Sequence, residues 1–263
     1  MSGGYWDDVA RRQATAYHLD PVMAEHKRRV HLALLARSGA GLSRPRLLKT
    51  DLFEEALGSD EVLLSWPPGR GPARVAGIDL SGEICRKAGG RLAAGGRSLL
   101  LARADARALP FRDGSFDIVF SCSTLDHFER REDLLEGLAE AARVLAPGGE
   151  LVLTLDNPRA LFYPLVKRLE RRGLIGFRLG VTLTAGEASE ALARLGIEIL
   201  EERGIYHVPR VVFTALLRAV RGARLRFLGG PLLRLLGALE RGAGRRGQYL
   251  SAWYVAIRGR KRP

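Results

Sequence analysis

Cysteine is nearly absent from this 263-residue chain, which has only Cys85 and Cys122. Two lone cysteines make neither a disulfide framework nor a zinc site, and they read as buried thiols of a reducing compartment. Long apolar runs are missing too. Arg218 and Arg234 interrupt the two best candidates, so nothing reaches the ~18 apolar residues of a membrane span. The opening residues, MSGGYWDDVARRQ, hold no apolar core of the kind a secretory signal carries. His18, His26, His31 and His207 show no metal-ligand spacing, so no metal site is expected. Walker-type phosphate loops, G-x-S-x-G elbows and zinc-finger spacings are also lacking. These absences lead to the expectation of a soluble, cytoplasmic protein.

Lysine is scarce, at 5 of the 42 basic residues, and acids thin out along the chain. Residues 159–263 hold 21 Lys and Arg against 7 Asp and Glu, a balance of +14, while residues 1–158 carry −1. A GC-rich coding bias accounts for arginine over lysine. It does not account for the missing acids, and a basic second part suits an anionic partner.

What is present is ample apolar material, 46% of residues, enough for one large core. The first 45 residues read as a helical cap, with helices over Asp7–Ala14 and Pro21–Arg37. A first strand is expected over Arg46–Thr50, then a helix from Leu52 with Asp51 as N-cap and Glu54 completing a capping box. The loop Ser65–Pro72 is a clear break. Further strands are expected over Arg74–Asp79 and Ser98–Ala102, around a helix from Gly82 to Ala93. Later come helices over Leu161–Arg172 and Thr184–Leu195, a strand over Ile197–Ile205 and a last strand over Gln248–Arg258.

Residues 99–157 are the most informative. Apolar runs Phe116–Ser121 and Glu150–Leu155 flank a helical run from about Glu132 to Leu145, and each opens after turn residues, Asp113-Gly114 and Pro147-Gly148-Gly149. Strand, amphipathic helix and strand in that order make a βαβ unit of a parallel sheet. The phrases Leu109-Pro110-Phe111-Arg112-Asp113-Gly114-Ser115-Phe116-Asp117-Ile118-Val119 and Arg143-Val144-Leu145-Ala146-Pro147-Gly148-Gly149 resemble the middle of class I S-adenosylmethionine-dependent methyltransferases. The resemblance implies an α/β fold. It is a Rossmann-like, doubly wound, seven-stranded and mainly parallel sheet, over residues 46–263 with the cap at 1–45. S-adenosylmethionine is the implied cofactor.

Ligands of doubly wound sheets bind beyond the carboxyl ends of the strands. That rule nominates Thr50-Asp51, Asp79-Leu80, Asp105-Ala106 and the stretch Ser121 to His127. Asp79 ends its strand where a carboxylate can accept both ribose hydroxyls, and the resemblance gives it that role, with Leu80 packing on adenine. Asp105 can accept from the adenine amino group while the amide of Ala106 donates to a ring nitrogen. His127 stands near the meeting point of donor and acceptor, as a candidate general base. The first strand-to-helix turn departs from the family. Where glycines normally admit the methionine end of the cofactor, this chain has Lys49-Thr50-Asp51-Leu52-Phe53-Glu54-Glu55. A glycine-free turn cannot keep the usual geometry, so Asp51 would take the ammonium group, and Thr50 or the first helix amides the carboxylate.

Between about residues 208 and 246 lie two amphipathic basic stretches. In the first, Arg210, Arg218 and Arg221 oppose Val212, Phe213, Leu216 and Val220; the second runs over Pro231–Arg241. A lid, an anionic membrane surface and nucleic acid all compete for this insertion, and sparse aromatics disfavour nucleic acid. The expected function is methyl transfer to a hydrophobic or amphiphilic, lipid-like small molecule. The alternative is a non-catalytic scaffold whose basic part binds a membrane, partner or nucleic acid.

Overall fold

The computed structural model describes residues 3–12, 20–39, 42, 44–65, 74–96, 99–174, 178–208, 217, 229–241 and 247–263. Two helices come first, α1 (Gly3–Arg12) and α2 (Pro21–Ala36). Then follow β1 (Arg46–Lys49), α3 (Phe53–Leu57), β2 (Arg74–Asp79), α4 (Gly82–Ala94) and β3 (Leu100–Arg103). The middle of the chain forms β4 (Phe116–Cys122), a 3-10 turn (Leu125–His127), α5 (Arg131–Val144) and β5 (Leu145–Asp156). The remainder forms α6 (Tyr163–Arg171), α7 (Ala185–Arg194), β6 (Ile197–Ile205), α8 (Gly229–Glu240), α9 (Gln248–Ser251) and β7 (Tyr254–Lys261).

The strands make one sheet in the order β3-β2-β1-β4-β5-β7-β6. Every pair is parallel except those of β7, which runs antiparallel to β5 and β6. β4 and β5 bury both faces, which is why they read as unbroken apolar runs. One face sets Leu47, Ile118, Phe120 and Val152 against α2 and α4. The other sets Leu48, Val119, Leu151 and Leu153 against α5 and α7. α5 offers Leu134, Leu138, Ala141 and Ala142 at helical spacing to that second face.

Several boundaries differ from the sequence reading. β1 stops at Lys49, and α3 has Leu52 at its N-cap position with no side-chain cap. Glu54 does not return to Asp51, because Lys27 and Lys49 claim its carboxylate. The Pro147-Gly148-Gly149 turn is a bulge inside a continuous β5: the register slips between Phe116 and Ile118, and Gly148 adopts φ +74°. The last strand begins six residues later than expected, since Gln248–Ser251 coils into α9 while Gln248 Oε1 accepts from Gly204 N–H. The Ser65–Pro72 loop, Ser65 apart, and the first basic stretch, Leu217 apart, lie outside the described residues. The second stretch is α8.

Candidate cofactor and active site

The strand order reverses between β1 and β4, so the helices after these strands leave in opposite directions and open a crevice at the carboxyl ends. All the nominated residues lie along those ends. Asp79 closes β2. Its Oδ1 accepts from Ser81 N–H at 2.8 Å and its Oδ2 from Leu52 N–H at 3.1 Å, which ties the end of β2 to the turn after β1. Burial raises its pKa to about 6 despite both amides. Each oxygen keeps a lone pair beyond these bonds. Asp105, after β3, is gripped by Arg107 through Nε and Nη2, and this pairing lowers its pKa. Arg107 also reaches Asp133 at 2.9 Å and lies 5.2 Å over the Phe128 ring. Ala106 is buried, and the Leu80 carbonyl accepts from Arg103.

The turn after β1 is built on charge. Lys49 is fully buried, with its Nζ 2.8 Å from Glu55, 3.1 Å from Glu54 and 3.3 Å from Asp51. Lys27, from α2, reaches Glu54 at 2.8 Å and Asp60 at 3.0 Å. Burial alone would depress the Lys49 ammonium, but Asp51, Glu54 and Glu55 overcome it and hold its pKa above the usual value. Burial also drives Asp51 well up, aided by Glu54 and opposed by Lys49. Two ammonium groups thus face Asp51, Glu54, Glu55 and Asp60, with Asp79 alongside. The cluster has more carboxylates than cations. Thr50 Oγ1 lies 3.2 Å from Thr124 Oγ1 across the crevice.

His127 ends the 3-10 turn beyond β4, its ring edge-on to Trp6 of α1 at 5.2 Å. Its Nδ1 is shielded and has no partner among the described residues. Asp126 beside it is buried and accepts from Ser123 Oγ at 2.9 Å and Asp156 N–H at 2.6 Å. It thereby pins the ends of β4 and β5 and the loop that carries His127. Burial raises the Asp126 pKa. Ser121 lies within the sheet at full burial, its hydroxyl without a partner among the described residues. Above the crevice, Trp6 also meets Phe53 at 6.2 Å, and Asp7 accepts from Ser81 Oγ and Glu83 N–H.

Sequence reasoning missed Lys49, Lys27 and Trp6, while Asp126 fell inside the nominated stretch Ser121 to His127 without a role of its own. Two of the five lysines, set in a chain that otherwise uses arginine, are the one signal that pointed to the ion cluster. Among the described residues no group of histidines, cysteines and carboxylates could hold a metal.

A crevice at the switch point of such a sheet, with a carboxylate ending β2 and another after β3, is where a doubly wound α/β protein binds its ligands. The family profile of the methyltransferase domain matches residues 56–153. Malonyl-[acyl-carrier protein] O-methyltransferase from Geobacter sulfurreducens is 34% identical over 160 residues, 57% of this chain and 56% of that relative. Demethylmenaquinone methyltransferase from Thermus thermophilus is 34% identical over 131 residues, 49% of this chain and 58% of that relative. A chain of the solved complex between the Haloferax volcanii Trm112 methyltransferase activator and a methyltransferase superposes with TM-score 0.59. It is 18% identical, the match covering 100% of this chain and 98% of that one, a likeness of fold. Residues 56–153 thus match the methyltransferase domain, and the chain as a whole shares the fold of solved S-adenosylmethionine-dependent methyltransferases. The matches span little more than half the length of these two curated relatives.

The residues present suit that family's cofactor, S-adenosylmethionine. Asp79 keeps acceptor capacity for ribose hydroxyls. The carboxylate excess around Asp51 suits a ligand whose sulfonium and ammonium outweigh its carboxylate. The glycine-free turn after β1 would present side chains to the cofactor's methionine end.

Proposed function

We propose that this protein transfers a methyl group from S-adenosylmethionine to a hydrophobic or amphiphilic, lipid-like small molecule, working in the cytoplasm and in peripheral contact with an anionic membrane. Asp79, poised at the switch point with unused lone pairs, is the observation that carries the reading. In it Asp79 holds the ribose and Leu80 packs on the adenine. Asp105 and the amide of Ala106 read the adenine edge, and Ser121 closes the wall at the end of β4. Thr50 and Asp51 take the methionine end, Asp51 by charge. When bound, the cofactor supplies an electrophilic methyl group on a sulfonium sulfur. His127, held by the Asp126-pinned loop, receives the proton of an acceptor hydroxyl or phenol. Trp6 and Phe53 shut water from the crevice. Domain division follows the same reading, with residues 1–45 as a cap on a methyltransferase domain at 46–263.

Calorimetric titration with S-adenosylhomocysteine tests this. Micromolar binding is expected, and Asp79→Ala should weaken it roughly tenfold or more, the scale of a lost charge-assisted hydrogen bond. Wild-type affinity should rise as pH climbs through about 6, where the Asp79 carboxyl loses its proton and becomes the stronger acceptor. A folded sample that ignores millimolar ligand would instead favour the non-catalytic scaffold, the reading that the glycine-free, ion-filled turn supports.

A further inference from the structure

The outward stripe of α6 is unusual for a surface helix. Leu161 (70% exposed) and Phe162 (42%) lead into it, and Leu165 (53%) follows one turn on. Arg168 lies one turn on from Leu165, and Arg171 and Arg172 stand exposed at the end of the helix. Leu161 N–H donates to the Leu250 carbonyl at 2.9 Å, which brings a further exposed leucine (61%) to the apolar end. Val166, on the opposite side, is what α6 buries. Among the described residues none of Arg168, Arg171 and Arg172 is paired with a carboxylate. Arg107 and Arg143 differ, each being tied to two.

We infer that this face, α6 with Leu161, Phe162 and Leu250, seats the protein on an anionic lipid surface. The leucines and Phe162 enter the acyl boundary and the three arginines meet the headgroups. The basic excess of the second part of the chain provides the matching charge. A phosphate backbone would satisfy the arginines but give the leucines nothing, whereas a lipid surface takes both. No helix among the described residues is long and apolar enough to cross a membrane, so the contact is interfacial. The position also serves the proposed acceptor, and the inference rests on that reading only for its purpose. α6 follows β5 directly, and Lys167 Nζ donates to the Leu179 and Gly180 carbonyls. The segment holding Gly180 in turn bonds the His127 loop, Val181 N–H to Phe128 carbonyl at 2.8 Å. A lipid-like acceptor can pass from the bilayer to the crevice along this edge.

The test is co-sedimentation of the full chain with phosphatidylcholine vesicles with and without phosphatidylglycerol. Binding is expected only with phosphatidylglycerol, and it should fall as salt rises. The triple variant R168Q/R171Q/R172Q should bind roughly a hundredfold more weakly. L161S/L165S should also bind more weakly while keeping its salt dependence. All these side chains are exposed, so thermal unfolding should match wild type. Wild-type indifference to phosphatidylglycerol, or undiminished binding by the triple variant, would overturn the assignment. So would a loss of self-association in L161S/L165S with no effect on vesicles, which would make the face a contact between copies. Homocysteine-nucleoside titration of the same samples separates the two claims: ligand binding without vesicle binding removes the face, and the reverse removes the methyl-transfer reading.

Discussion

Each of the five lysines has its ammonium group held by protein acceptors. Lys87 donates to the Ala10 carbonyl, and Lys261 to those of Ala142 and Leu145. Lys167 reaches Leu179 and Gly180, while Lys27 and Lys49 share Glu54. A compact ammonium with three donors can gather acceptors from several directions, which a planar guanidinium cannot do in the same space. The scarcity of lysine was visible in the sequence. The cluster itself was not, because Lys27 joins it from α2, pairing with Glu54 and Asp60. Lys49→Met should cost about 3–5 kcal/mol at pH 8, since it leaves buried carboxylates unbalanced. The sign with pH follows. Burial already raises Asp51 and Lys49 opposes that rise, so without Lys49 its folded-state pKa stands still further above its unfolded value. The stability Asp51 retains is then full at low pH and is lost as pH rises through the raised value. Urea unfolding should therefore show the defect shrinking toward pH 5. A defect of equal size at both pH values, or none, would show that the cluster does not carry this charge.

Two segments share one local pattern and end differently, and the contrast shows how far sequence reasoning reaches among the elements. Thr184, expected near the cap of its helix, forms a capping box with Glu187 at the start of α7. Asp51 and Glu54 have the same spacing, yet the buried lysines outbid the local bond. The sheet, α4, α5, α7 and β6 were legible, because apolar period and turn residues decide them locally. The extent of β5 and the start of β7 were not, since cross-strand pairing and the Gln248–Gly204 bond set them. The segment before α7 has a further consequence. A Cβ on Gly180 would run into the carbonyls of Asp126 and Phe128, whereas one on Gly186, in α7, would meet open space. Gly180→Ala should destabilise by about 1–3 kcal/mol through backbone displacement and shift the His127 loop. Gly186→Ala should be neutral or stabilising, by up to ~1 kcal/mol. Equal unfolding midpoints for the two variants would show that the loop yields to the added methyl group.

Across the molecule, α1 bridges the two sides of the crevice. Asp7 and the Ala10 carbonyl fasten it to α4, beside the carboxyl end of β2. Trp6 meets Phe53 after β1 and His127 after β4. The helix is short and buries only Ala10 completely. Few buried contacts mean a low local free energy of opening. An N-terminal helix was legible from the sequence, but its seat over His127 depends on Trp6, whose partners come from two other elements. A ligand filling the crevice between Asp79 and His127 would give α1 further surface to pack on and would raise the cost of opening it. Amide exchange in residues 3–12 should then slow several-fold when S-adenosylhomocysteine is added, with β4 and β5, already core strands, unchanged. Trp6→Ala should abolish that slowing and hasten ligand dissociation, since α1 then loses its ring contacts with Phe53 and His127. If exchange in α1 ignores a ligand that calorimetry shows to be bound, the helix is a fixed wall, and acceptor and cofactor must enter from the α6 side.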